Sequence, residues 1–213
     1  MSGSAGAVHH PIFARLFDRL VRKADPQQAD HRRELVAGIS GRVIEIGAGN
    51  GLNFSHYPDT VTEVLAVEPE DSLRELAEKA AAQARVPVRV VAGRAGALPT
   101  EDGVFDAAVA SLVLCSVADA SAALAEIRRV LRPGGELRFF EHVRSTKPWF
   151  GLLQDALTPA WSRASGGCHL NRDTGEAIRA AGFDVELLER FFHAPVWFVP
   201  RHAHILGRAR MPG

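Results

Sequence analysis

Val43-Ile44-Glu45-Ile46-Gly47-Ala48-Gly49-Asn50-Gly51 is the stretch that decides the fold. Arg42 to Ile46 reads as a buried strand, and a glycine-rich turn follows it at once. A short helix then runs to about His56 and is stopped by Pro58. Gly47 and Gly49 can take positive φ and let the backbone pass close to a ligand, while Gly51 leaves room where the helix starts. Ligands of a parallel sheet bind beyond the carboxyl ends of its strands, and Ile46 is the first such end.

Strands and helices alternate outward from this turn. Val61 to Val67 reads as a second strand, Ser72 to Ala84 as a long helix, and Val88 to Val91 as a third strand. Phe105 to Leu114 is a near-continuous apolar run, as expected of a fourth strand covered on both faces. Leu124, Ile127 and Leu131 mark the apolar stripe of the next helix. Arg132-Pro133-Gly134-Gly135 ends it and turns into a fifth strand, Glu136 to Phe140. Such units predict an α/β fold: a Rossmann-like, doubly wound, mainly parallel sheet with helices on both faces.

The remaining segments frame that core. Trp149 to Trp161 reads as an inserted helix broken by Ser165-Gly166-Gly167, and Thr174 to Ala181 as a helix capped by Gly182. Val185 to Phe192 and Val196 to Leu206 read as a final hairpin at one edge. Met1 to Val8 is expected to be a disordered arm. Ile12, Phe13, Leu16, Phe17, Leu20 and Val21 then recur at helical spacing, and a second helix covers Gln28 to Ala37, ending at Gly38. These two helices are expected to form a lid over 9–38 on a single domain spanning 9–213, with an insertion over 145–172 near the expected ligand site.

Composition narrows the function. The chain has 213 residues, 46% of them apolar, enough for one sizeable core. Lys plus Arg equals Asp plus Glu at 25 each, and no basic stripe stands out, so a small-molecule partner is expected rather than nucleic acid. No apolar run approaches the roughly 18 residues of a membrane span. The N-terminus carries no signal-like segment. Cys115 and Cys168 show no metal-ligand spacing and read as free thiols, which leads to a cytoplasmic expectation.

Glu68 follows the second strand, roughly 20 residues after the glycines, where a carboxylate accepts hydrogen bonds from a ribose diol. A dinucleotide usually requires Gly-x-Gly-x-x-Gly, but Leu52 stands in the third glycine's place. Glu45, just before the turn, is poorly placed for a pyrophosphate and well suited to an ammonium or sulfonium. The pattern therefore points to a nucleoside with a cationic tail, S-adenosylmethionine. The structural alternative is a tight turn beside a solvated strand-end charge.

At these residues the chain resembles the class I S-adenosylmethionine-dependent methyltransferases. Val43 to Gly51 resembles their first motif and Val67-Glu68-Pro69 their second. Asp102-Gly103-Val104-Phe105-Asp106 and Leu131-Arg132-Pro133-Gly134-Gly135 match the stretches around their fourth strand and before their fifth. Ser111-Leu112-Val113-Leu114-Cys115-Ser116-Val117, Phe140-Glu141-His142-Val143 and Gly167-Cys168-His169-Leu170-Asn171-Arg172 are similar to segments of the thiol methyltransferase-like group. The resemblance implies seven strands with the last antiparallel. It also implies cofactor contacts at Glu45, Gly47, Gly49, Asn50, Gly51, Glu68, Pro69, Arg94, Ala95, Ser111, Leu112 and Cys115.

Methyl transfer needs alignment and exclusion of water more than a strong base, and a thiol needs only a modest push to its thiolate. The expected catalytic residues are His142, after the fifth strand, and His10, in the N-terminal helix. Phe13, Cys168, His169 and Arg172 are the expected substrate contacts. Plain readings stand beside these: Cys115 as a small buried hydrophobe, His142 as a hydrogen-bonding support, Cys168 and His169 as loop packing. His9, His10, His202 and His204 have no carboxylate at ligand spacing, so no metal is expected. The aromatics Trp149, Phe150, Trp161, Phe191, Phe192, Trp197 and Phe198 should mostly be core. The expected activity is methylation of a small apolar acceptor, with a thiol favoured. The alternatives are an amine, phospholipid head group or small metabolite as acceptor, a non-catalytic binding subunit, or a nicotinamide oxidoreductase.

Overall fold

The computed structural model describes residues 28–194 and 201–213. Residues 28–35 are helical (α1), and Gly38 behind them takes φ 69°. The strands are β1 (Gly41–Ile46), β2 (Val61–Val67), β3 (Val88–Val91), β4 (Phe105–Ser111), β5 (Leu131–His142), β6 (Asp184–His193) and β7 (His202–Arg210). Between them lie α2 (Asp71–Ala81), α3 (Ala120–Val130), α4 (Pro148–Ala164) and α5 (Thr174–Ala180). They form one seven-stranded sheet in the order β3-β2-β1-β4-β5-β7-β6. β1 to β5 pair in parallel and β7 runs antiparallel to both neighbours, as expected for an edge hairpin.

The two-residue period of β1 splits the core into two layers. Ile44 and Ile46 face the layer holding Leu124 and Ile127 of α3, and Val43 faces the layer holding Leu35 and Ala77 of α1 and α2. Side-chain caps hold the helix starts: Glu70 accepts from Leu73 N–H, Asp119 from Ala122 N–H and Asp173 from Glu176 N–H.

The bounds of three strands depart from expectation by more than one residue. β4 ends at Ser111, because Leu112 turns to φ 58° and starts the loop three residues early. β5 begins at Leu131, directly on the end of α3, and the Pro-Gly-Gly stretch makes a register shift inside the pairing with β4. β7 runs His202–Arg210, further along the chain than Val196 to Leu206; residues 195–200, with Trp197 and Phe198, lie outside the described residues. α4 corrects a fourth expectation. Gln154 and Thr158 are buried there while Trp149 and Leu152 are each 66% exposed, so its aromatic start is not core. The polar face turns inward because Gln154 serves backbone: its Nε2 donates to Val143 O at 3.0 Å and Leu170 O at 2.8 Å, and its Oε1 accepts from Ser145 N–H at 2.7 Å. Phe192, at the end of β6, is also 40% exposed. No described helix is long and apolar enough to cross a membrane.

Candidate active site

The tips of β1 and β2 are joined through backbone. Gly47 and Ala48 N–H donate to Val67 O at 2.8 and 3.1 Å, and Gly49 N–H donates to Glu68 Oε2 at 2.8 Å. Glu68 Oε1 accepts from Glu70 N–H at 2.9 Å. Burial raises the Glu68 pKa against the opposing pull of these two amides. The turn glycines serve different ends. A Cβ on Gly47 would lie 2.4 Å from Val113 Cγ2, and one on Gly51 2.7 Å from the Phe54 ring, whereas one on Gly49 (φ 57°) meets nothing within 4 Å. The outer two pack the turn; the middle one borders open space.

Glu45 is fully buried on the Val43 face of β1. Its oxygens accept from Asn53 Nδ2 and Tyr57 OH, both at 2.8 Å. Arg32 of α1 donates to Asn53 Oδ1 at 2.9 Å and lies 3.5 Å from Ser111 Oγ. Burial pushes the Glu45 carboxyl up to about 7, with the Tyr57 and Asn53 bonds and the Arg32 charge pulling the other way. Arg32, Asn53 and Tyr57 had no place in the sequence reading, because nothing in their spacing marks them as partners of Glu45.

The tips of β4 and β5 meet in the same way. Leu112 N–H donates to Phe140 O at 2.7 Å. The buried Glu141 carboxylate accepts from the N–H groups of Val113, Leu114 and Cys115 at 3.0, 2.8 and 3.0 Å. Burial holds Glu141 well above the usual carboxylate range despite these amides. Arg172 donates to the Leu114 carbonyl and, at 3.0 Å, to Val117 O; His169 N–H donates to Cys115 O at 2.8 Å. Glu141 was missed as a structural centre, although a carboxylate within an apolar strand run is its signal.

These ties bring together three side chains that sit far apart in sequence. His142 Nδ1 is 3.6 Å from Cys115 Sγ and 3.4 Å from Cys168 Sγ, and the sulfurs are 3.8 Å apart. Burial first, and then the neighbouring His142, lowers His202 to about 4 and His204 further still. The His204 ring lies 4.5 Å from that of His142, centre to centre.

The other expected residues are distributed around these strand tips. Asn50 is buried beside the turn, and Pro69 leads into α2. Arg94 and Ala95 lie past β3, where Arg94 bridges to Ala97. His169 has a buried Nδ1 without a hydrogen-bond partner. His10 and Phe13, with the first lid helix, lie outside the described residues.

Comparison with known proteins agrees with this architecture. The methyltransferase domain family matches residues 44–139. The chain is 34% identical to the human thiol S-methyltransferase TMT1B, covering 92% of this chain and 85% of that protein. It is 35% identical to human TMT1A, also a thiol S-methyltransferase, covering 86% and 79%. In fold it is similar to an S-adenosylmethionine-dependent methyltransferase from Mesorhizobium loti, with a TM-score of 0.62, 18% identity and coverage of 86% and 97%. It is likewise similar to a geranyl diphosphate methyltransferase solved with sinefungin, an analogue of S-adenosylmethionine, with a TM-score of 0.67, 14% identity and coverage of 87% and 78%. With a glycine turn and a carboxylate joined at neighbouring strand tips, and relatives this similar over most of their length, the chain belongs to the S-adenosylmethionine-dependent methyltransferases.

Proposed function

We propose that this enzyme methylates the sulfur of a small, largely apolar thiol. The observation that carries the reading is the extent of likeness to two human thiol S-methyltransferases, at 34% and 35% identity over most of both chains. The cofactor fits the residues present. A carboxylate has about four acceptor positions, so Glu68 keeps capacity for a ribose diol beside its two amides. The open space at Gly49 admits a ligand that any Cβ would meet.

S-adenosylmethionine supplies a methyl group already activated by its sulfonium. The protein's tasks are then binding, alignment and exclusion of water. In this reading Gly47, Gly49, Asn50 and Gly51 line the cofactor's path, Glu68 takes its ribose, and Arg94 and Ala95 border the adenine. Glu45 acts one step removed, since both its oxygens hold Asn53 and Tyr57 under the turn. Cys115, His142, Cys168, His169 and Arg172 form the acceptor side, with 145–172 as its far wall and the N-terminal helices as lid. The two free cysteines suit a cytoplasmic setting.

The test is formation of S-adenosylhomocysteine with matched panels of alkyl thiols, amines and alcohols. Turnover should be confined to the thiols. Turnover of amines or alcohols alone would overturn the assignment.

A further inference from the structure

Cys115, His142 and Cys168 come from three elements: the loop after β4, the end of β5 and the loop after α4. Their ligand atoms all lie within 4.8 Å of one another. A tetrahedral Zn²⁺ with Zn–S of about 2.3 Å and Zn–N of about 2.0–2.1 Å sets two sulfurs roughly 3.8 Å apart and a sulfur and nitrogen roughly 3.6 Å apart. The structure has 3.8 Å between the sulfurs, and 3.6 and 3.4 Å from each sulfur to Nδ1. The ligands are also fixed in place before any ion arrives. Glu141 gathers the amides of residues 113–115, and the Cys168 loop is bonded to the Cys115 carbonyl through His169 N–H. A site whose ligands need little rearrangement binds more tightly than one that must assemble them.

We infer that Cys115, His142 and Cys168 form a zinc site with three protein ligands, and that its fourth position takes the acceptor's sulfur. This rests on the thiol-acceptor reading given above. Zinc sites with three protein ligands keep the remaining position for water or substrate, whereas structural sites close with four. Two thiolates and an imidazole make a soft donor set that selects zinc over magnesium or calcium. His142 is partly exposed while both cysteines are buried, so the imidazole is the ligand nearest to solvent. An acceptor R–SH that replaces water on zinc gives its proton to solvent and stays as the thiolate, the nucleophilic form. The new sulfur–methyl bond then forms as the sulfonium's sulfur–methyl bond breaks, its electron pair remaining on S-adenosylhomocysteine. The neutral thioether product is a weaker ligand, and water displaces it.

The experiment is equilibrium dialysis of the full, reduced chain against Co²⁺ alone, followed by absorption spectroscopy and displacement with Zn²⁺. One cobalt per chain is expected, with a thiolate-to-cobalt charge-transfer band and tetrahedral d–d bands that Zn²⁺ abolishes. Adding ethanethiol should shift the d–d bands. Cys168→Ser and His142→Gln should lose the stoichiometric ion yet keep S-adenosylmethionine binding, which certifies their fold. Absence of the charge-transfer band, its persistence in a Cys115→Ser/Cys168→Ser double variant, or a Cys115–Cys168 disulfide that persists in excess reductant would overturn the site. Thiol methylation at full rate by a metal-free chain would overturn the ion's role and leave the proposed function standing. A cobalt band on a chain that methylates only amines would keep the site and remove the thiol reading.

Discussion

The amide of Gly49 and the carboxylate of Glu68 are hydrogen bonded at 2.8 Å, so the tips of β1 and β2 are one structure and not two neighbouring loops. A Cβ on Gly49 would meet nothing within 4 Å, and Glu68 retains acceptor positions beyond its two amide donors. Changes at either residue should therefore be read out in cofactor affinity first.

Gly49 and Gly51 should separate binding from folding. Gly51→Ala drives a methyl into the Phe54 ring and the Ala80 Cβ, 2.7 and 2.8 Å away, at a φ of 79°. It should lower unfolding stability by about 1–3 kcal/mol in urea titrations. Gly49→Val carries a left-handed backbone penalty of about 1–2 kcal/mol but no collision, and should cut S-adenosylmethionine affinity at least about tenfold.

Glu45 predicts a pH dependence of stability for the cofactor-free enzyme. Its carboxyl is raised from 4.5 to about 7 by burial, so between these values the folded chain holds a proton that the unfolded chain has lost. Stability should accordingly fall as pH rises from about 4.5 to about 7, by on the order of 3 kcal/mol from this group. Glu45→Gln should flatten that slope in chemical denaturation at pH 5 and 7.5. An equal slope in the variant would assign the titration elsewhere.

Glu141 should matter through the backbone it collects. Glu141→Ala leaves two buried and one half-buried N–H groups without this acceptor, each buried one worth about 1–3 kcal/mol. Glu141→Gln keeps the shape and part of the bonding. The alanine variant should lose several kcal/mol in urea titrations and the glutamine variant less.

Much of this was legible in the residues themselves. Val61 to Val67 and Val88 to Val91 are legible to the residue, because both are valine-rich segments bounded by turn-forming Pro and Gly residues. The glycine turn and Glu68 were legible because chemistry fixes their spacing. What escaped depends on contacts distant in sequence. Glu141 and Cys115 are 26 positions apart, and Cys115 and Cys168 are 53 apart. No local period encodes such meetings. The inward-turned polar face of α4 escaped for a related reason: Gln154 is buried to serve carbonyls of Val143 and Leu170, which only the tertiary fold brings near.

His142 should act on turnover more than on binding. Replacing it with alanine removes the ring nitrogen that lies 3.6 and 3.4 Å from the two sulfurs and leaves the Gly49–Glu68 pair untouched. Steady-state kinetics should show kcat falling at least about tenfold while S-adenosylmethionine affinity stays within about twofold. Unchanged kcat would make the ring a packing element.

The most direct measurement is calorimetric titration of the purified chain with S-adenosylmethionine, beside Glu68→Ala. One cofactor should bind per chain, and the substitution should weaken binding by about 1–3 kcal/mol, roughly 5- to 150-fold. Equal affinity in the two proteins, with the variant folded, would contradict the placement of the nucleoside between these strand tips.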